Sequence, residues 1–151
     1  MKILSIKLTN FKNFDKFEHQ FKNKNVIRGK NGSGKSTIKN AIIFALYNLT
    51  SDGKSDTDKY IKKGSDYCEV ELMTDKGTFL RKRNKTAGEI LFNGETIRQK
   101  DLAVPSFEVF NSAFNVSQFI FQPDKTQRQL ILDTLAPEDR EKLFVEAGGN
   151  K

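Results

Sequence analysis

An α/β fold is predicted by three observations in this 151-residue chain. The octapeptide Gly29–Ser36, reading GKNGSGKS, fits the phosphate-loop pattern G-x-x-x-x-G-K-[ST]. A short apolar run, Asn25-Val26-Ile27, enters that loop as a strand. Behind it Ile38, Ala41, Ile42, Ala45, Leu46 and Leu49 recur at i, i+3, i+4, i+7, i+8 and i+11, which is one face of a helix.

Each fixed position of the loop has a mechanical reading. Glycines let successive N–H groups turn inward on a phosphate chain. Lys35 places an ammonium on the β and γ phosphates, and the Ser36 hydroxyl is a ligand for Mg²⁺. The helix that follows aims the positive end of its dipole at the same anions. A glycine-rich turn before an ordinary amphipathic helix is the competing reading, and the strand–loop–helix context favours nucleotide binding.

The remaining elements follow in order. Leu4, Ile6 and Leu8 alternate with Ser5, Lys7 and Thr9, the pattern of a half-buried strand. Phe17 to Phe21 is a second short strand after a turn around Asn13 to Asp15. Helix one is predicted over about Lys35 to Leu49, and the polar stretch Ser51 to Lys59 is a loop. A β-rich lobe comes next. Cys68, Val70 and Leu72 alternate with Glu69 and Glu71, and Asp75-Lys76-Gly77 turns the chain into Thr78 to Arg83. Glu89 to Phe92 and Glu95 to Arg98 flank Asn93-Gly94, a strong hairpin signal. The pattern then becomes helical. Pro105 marks a helix start near Ser106, and further helices are predicted at about Lys125 to Leu135 and Pro137 to Ala147. The chain is read as a single domain, with loop and β-rich lobe over about 1–98 and a helical part over about 99–151.

Composition sets the outer bounds. One domain with a real core is expected at this length. No run of eighteen apolar residues exists, and Met1 leads straight into a strand, so neither a membrane span nor a secretion signal is expected. The single Cys68 fits a reducing compartment, and the cytoplasm is the expected location. A net charge of +7 suits a polyanionic partner. The densest basic patches are Lys22 with Lys24, Lys62 with Lys63, and Arg81-Lys82-Arg83 with Lys85. A DNA groove and a solvated lysine-rich surface both account for them.

The opening of the chain resembles a known group. A strand ending in Asn10-Phe11-Lys12-Asn13-Phe14, then the loop with Thr37 after it, is similar to the ABC-type ATPase heads of DNA repair and chromosome maintenance. That group of P-loop NTPases holds the SbcC-like subunit of a DNA-end nuclease complex, RecF, RecN and the structural-maintenance-of-chromosomes proteins. The order of elements after the loop matches too: a β-rich lobe with a basic strand and a hairpin, then C-terminal helices leading to a glutamine. The resemblance implies phosphate contacts from Asn31, Gly32, Ser33, Gly34, Lys35 and Ser36, with the Thr37 hydroxyl near the α-phosphate. It implies that Lys12, Asn13 and Lys63, within Lys62 to Gly64, line the base and ribose of ATP. Gln118, in Ser117-Gln118-Phe119-Ile120-Phe121, stands in the place of the family's Q-loop residue, which contacts Mg²⁺ and the attacking water. Gln122 is the alternative. Lys125 to Leu130 resembles the family's Arg-containing helix.

The resemblance covers only the front half of a family head. Complete heads insert a long coiled coil here and return with a signature loop, a Walker B Asp-Glu and a switch histidine. Leu130-Ile131-Leu132-Asp133 imitates Walker B, but Thr134 follows in place of Glu, and the segment reads as helix. Gly148-Gly149 lacks the rest of a signature loop, and His19, ahead of the phosphate loop, suits a strand end. Without those groups the chain should hold ATP but scarcely hydrolyse it. Three accounts stand: a fragment cut before the coiled coil, which the ending at Lys151 favours; half of a split head; or a stand-alone binder that regulates or decoys a full-length ATPase. The implied partners are a C-terminal ATPase half or a second head, a nuclease subunit, and DNA. A small P-loop kinase is the third class of reading, opposed by the β-rich lobe directly after helix one.

Overall fold

The computed structural model describes residues 1–114, 120 and 123–134. It divides into two compact units, Met1–Val104 and Pro105–Lys151. The first is built on strands β1 (Ile3–Phe11), β2 (Phe14–Gln20), β3 (Tyr67–Thr74), β4 (Gly77–Asn84), β5 (Gly88–Phe92) and β6 (Glu95–Thr96), with helix α1 (Lys35–Tyr47) between β2 and β3. The strands form one antiparallel sheet in the order β2-β1-β3-β4-β5-β6. Consecutive strands pair as hairpins except β2 and β3, which do not pair. Only β1 and β3 are joined by an excursion, and α1 lies in it.

Alternation sorts the side chains of the sheet. Ile6, Leu72, Phe79 and Phe92 form one cross-strand row, and Leu8, Val70, Arg81 and Ile90 form the next. Most of these side chains are fully buried, and α1 packs across β1, β3 and β4. On the opposite face Lys7 lies 3.8 Å from Glu18 and 3.7 Å from Glu71, and Lys82 lies 3.4 Å from Glu69. Opposite charges facing each other across strands suit a solvated surface and hold the register.

From Asn40 to Tyr47 every residue of α1 is buried. A helix apolar on all sides needs cover on all sides. The sheet supplies one side, and the connection from Asn48 to Asp66 brings Tyr60 to another. Phe11, Phe44 and Tyr60 meet with ring centroids 5.0 to 5.9 Å apart. This trio is the aromatic centre of the core. The predicted loop over Ser51 to Lys59 is real but ends in a 3₁₀ turn, Thr57–Tyr60, which delivers that tyrosine.

Several expectations hold in detail. Asn93 (φ 50°) and Gly94 (φ 88°) both adopt the left-handed conformation that a tight two-residue hairpin requires. In the second unit, helix α2 (Phe107–Phe114) begins just after Pro105, and the Ser106 Oγ accepts the Val109 N–H at 3.3 Å as a cap. Helix α3 (Asp124–Thr134) contains Leu130 to Asp133, so the Walker B imitation is helical. The helix expected at Pro137 to Ala147 lies outside the described residues.

Other expectations are corrected. Asn25-Val26-Ile27 is not a strand. The run from Lys22 to Lys30 pairs with no described strand, and Val26 is 75% exposed. Apolar sequence alone does not make a strand without an edge to pair with. Leu4 is not a core residue. The register slips between Ile3 and Ser5, leaving Leu4 on a bulge and exposed. Helix α1 stops at Tyr47, two residues early, because Asn48 turns left-handed (φ 54°) and donates its N–H to the Phe44 carbonyl. The tract Arg81-Lys82-Arg83 is not a continuous basic surface. Arg81 is buried under α1, Lys82 pairs with Glu69, and Arg83 lies opposite Cys68.

Phe44→Ala should cost about 3–5 kcal/mol in urea denaturation, because no neighbour can fill the space between Phe11 and Tyr60. Leu4→Ser, at the bulge, should cost under about 0.5 kcal/mol. Burial pushes the Cys68 thiol up to about 12. Cys68 should therefore resist maleimide labelling at pH 8 in the folded chain and react on unfolding.

Candidate functional site

The loop between Gly29 and Ser36 keeps the start of α1 bare. Gly34 is the N-cap, at φ 94°, and offers no side chain to the first-turn amides. The first turn also carries no acidic residue. A helix start ordinarily satisfies its free N–H groups with a Ser, Thr, Asp or Asn cap. Left bare, those groups and the dipole form a place for an anion. Gly34 is required twice over. Its φ is left-handed, and a Cβ there would come within 2.6 Å of the Phe14 ring and 3.0 Å of the Asn13 amide.

Within this frame Lys35 turns back over the loop. Its Nζ donates to the Gly29 carbonyl at 2.7 Å and the Lys30 carbonyl at 2.8 Å. The ammonium therefore spans the mouth of the loop with no acidic partner among the described residues. Asn31, Gly32, Ser33 and Ser36 are exposed around it. Thr37 is buried, and its hydroxyl donates to the Asn13 Oδ1 at 3.1 Å. Electrostatics favour anions throughout this region. From His19 to Ser51 the chain has no Asp or Glu, while Lys22, Lys24, Arg28, Lys30, Lys35 and Lys39 are all basic.

The two-residue turn Lys12-Asn13, joining β1 to β2, connects the loop to a third segment. Asn13 touches α1 through Thr37. Lys12 donates its backbone N–H to the Tyr60 carbonyl at 2.7 Å, and Lys62 donates its own to Asn10 at 2.8 Å. The Lys12 ammonium sits 4.9 Å from the centre of the Tyr60 ring. Burial, and then the nearby Lys59, lower its pKa from the usual lysine value. Lys62 forms an ion pair with Asp15, while Lys63 next to it is exposed. The fold thus ties the Lys12-Asn13 turn to Thr37 at the start of α1 and to the Tyr60–Lys62 stretch, joining three separate stretches of sequence. Gln118 and Gln122 lie outside the described residues.

A cleft of about 330 Å³ borders the loop, between Phe14, Phe17 and His19 of β2 and Val26, Ile27 and Lys35. His19 stacks on Phe17 and meets Phe21 edge-on, and its Nε2 is buried without a hydrogen-bond partner. It is a strand residue, as its sequence position indicates. Among the described residues no group of three or more His, Cys, Asp or Glu could hold a metal ion. Any Mg²⁺ held by these residues would rest on the Ser36 hydroxyl and on the oxygens of a bound phosphate chain.

Tyr60 and Gln99 carry no local signal in the sequence, and Arg81 stands there only as part of a basic patch. Arg81 had a signal: it alternates in phase with Phe79, on the inward side of β4.

The profile of the AAA domain matches residues 5–147 of the chain. The chain is 35% identical over 114 residues to the DNA double-strand break repair Rad50 ATPase of Saccharolobus solfataricus, covering 72% of this chain and 13% of that protein. Its counterpart in Thermoplasma volcanium is 34% identical over 136 residues, covering 81% and 15%. The DNA replication and repair protein RecF of Bacillus subtilis is 38% identical over 72 residues, 47% of this chain and 19% of that one. The chain therefore spans less than a fifth of the curated relatives it matches. Among solved structures, the recombination mediator protein RecF with ATPrS superposes with a TM-score of 0.58 at 23% identity, covering 64% of this chain and 28% of that chain. That likeness is one of fold. The chain belongs to the AAA domain family, as an N-terminal ABC-type ATPase head of the SMC, RecF and Rad50 group.

Proposed function

We propose that this chain binds ATP with Mg²⁺ and forms the nucleotide-binding half of an ATPase head that acts in DNA double-strand-break repair or recombination. The observation that carries the reading is the bare start of α1 beneath a glycine-rich loop, with the Lys35 ammonium held, among the described residues, by the Gly29 and Lys30 carbonyls. On binding, the amides of Asn31 to Ser36 take the phosphate oxygens, and Lys35 exchanges its two carbonyls for the β and γ phosphates. The Ser36 hydroxyl would hold Mg²⁺. Lys12, Asn13 and Lys63 face the base and ribose, and Gln118 orients the attacking water. Mg²⁺ would draw charge from the phosphates as the γ-phosphoryl group is transferred.

Hydrolysis needs more than this chain holds. The Walker B Asp-Glu, the signature loop and the switch histidine belong to the remainder of a head, supplied by a C-terminal half or a second head. The uncovered segment at Val26 and Ile27 supports that assignment. These two apolar residues are exposed and unpaired among the described strands, which suits an incoming strand. The DNA-repair setting, and DNA and a nuclease subunit as partners, rest on the kinship with Rad50 and RecF. A non-catalytic regulator or decoy would share the same nucleotide site and differ only in what completes it.

Lys35→Ala should weaken Mg–ATP binding by about one to two orders of magnitude, because a charge-assisted hydrogen bond is worth about 1.5–3 kcal/mol. Circular dichroism and urea stability should barely change, since Lys35 bonds only to exposed loop carbonyls. Calorimetry showing equal affinity in both proteins would overturn the site assignment. The pure chain should release phosphate at close to the uncatalysed rate. Addition of the missing half should raise turnover by about a hundredfold or more. Fast release by the chain alone would show that it completes its own site.

A further inference from the structure

The far end of α1 is held by two side chains that are distant in sequence. The last turn of the helix has no basic residue of its own. Its Phe44 carbonyl is taken by the Asn48 N–H, its Ala45 carbonyl by the Arg81 Nε at 2.9 Å, and its Leu46 carbonyl by the Gln99 Nε2 at 2.7 Å. Arg81 also donates its Nη2 to the Gln99 Oε1, and its guanidinium lies 5.9 Å from the centre of the Phe44 ring. Arg81 comes from the middle of β4, and Gln99 from a 3₁₀ turn that follows β6.

A buried cation without a carboxylate is costly unless something else offsets it. Arg81 is 4% exposed, and its partners among the described residues are a main-chain carbonyl, an amide oxygen and an aromatic face. The compensating charge is the negative end of the α1 dipole, where the last carbonyls converge. Burial lowers the Arg81 pKa to about 10, so the side chain stays charged at neutral pH.

Helix α1 is the same helix whose first turn forms the candidate anion site. We infer that Arg81, held in place by Gln99, is a positioning residue for triphosphate binding at the opposite end of α1. Two effects act in the same direction. The guanidinium neutralises the negative pole of the helix, so the positive pole facing the loop is less cancelled. It also fixes the axis of α1 on the sheet, and with it the direction of the first-turn amides. The helix has thirteen residues, so the two ends are roughly 20 Å apart. At that distance the loss of one charge should weaken a polyphosphate about three- to tenfold.

The inference rests on the proposed nucleotide site, and the test separates the two. Wild type, Lys35→Ala, Arg81→Met, Arg81→Lys and Gln99→Leu are titrated calorimetrically with ATP, ADP and AMP without Mg²⁺, so that ligand charge falls with each phosphate removed, at a temperature where circular dichroism shows each protein folded. The expected result is a three- to tenfold loss for ATP in Arg81→Met, smaller losses for ADP and AMP, and partial recovery in Arg81→Lys. Gln99→Leu should lose about twofold. If Arg81→Met does not fold, Arg81→Lys and Gln99→Leu carry the comparison. Lower melting temperatures with unchanged affinity would make the clamp purely structural and overturn the inference. A loss equal for all three nucleotides would also overturn it, because a charge effect must scale with ligand charge. Silence of the wild type itself would remove the nucleotide site, and the inference with it.

Discussion

A helix that leaves its first turn open to solvent gives up stabilisation where most helices gain it. Helix α1 has no side-chain cap at Gly34 and no acid to complement its positive end. Everything else in the first unit serves to hold it despite that omission. Its middle is enclosed by Ile6, Leu8, Val70 and Leu72 from the sheet and by Tyr60 from the returning chain. Its end is closed by Asn48, Arg81 and Gln99. Burial of eight consecutive residues from Asn40 to Tyr47 supplies apolar stabilisation that a missing cap, worth about 1 kcal/mol, cannot undo. The open amides are thus carried by packing further along the same rod.

The same logic explains why so many distant segments converge on one short loop. The turn at Lys12-Asn13 is pinned to α1 through Thr37 and to the Tyr60–Lys62 stretch through backbone bonds. Lys12 adopts φ 52°, a conformation that non-glycine residues seldom take, and it holds an ammonium against an aromatic face. Such a residue stays there only because its neighbours over-determine it. The antiparallel sheet is the rigid part, and the loop is fastened to its upper edge by side chains from the turn and the helix.

Local chemistry was legible in the sequence where a few adjacent residues decide the outcome. The GKNGSGKS loop, the Asn93-Gly94 hairpin and the Ser106 cap behind Pro105 all appear where their residue types place them. The readings that failed needed a partner that adjacent residues do not reveal. Val26 and Ile27 look like a strand, but a strand exists only against an edge, and none of the described strands offers one. Leu4 keeps the alternation of β1 on paper, and a single slipped residue in the ladder turns it outward. Arg81 belongs by composition to a basic tract and by phase to the core row of Leu8, Val70 and Ile90; phase decides. The pairing of Lys12 with Tyr60 spans forty-eight positions and left no local trace.

The bare segment between Phe21 and Gly29 carries a further implication for how the chain behaves in company. An uncovered apolar edge invites a second copy of itself, the usual first step toward edge-to-edge aggregation. Here Lys22, Lys24, Arg28 and Lys30 flank Val26 and Ile27 with no acid among them. Like charges brought face to face repel, so these residues act as gatekeepers against self-pairing.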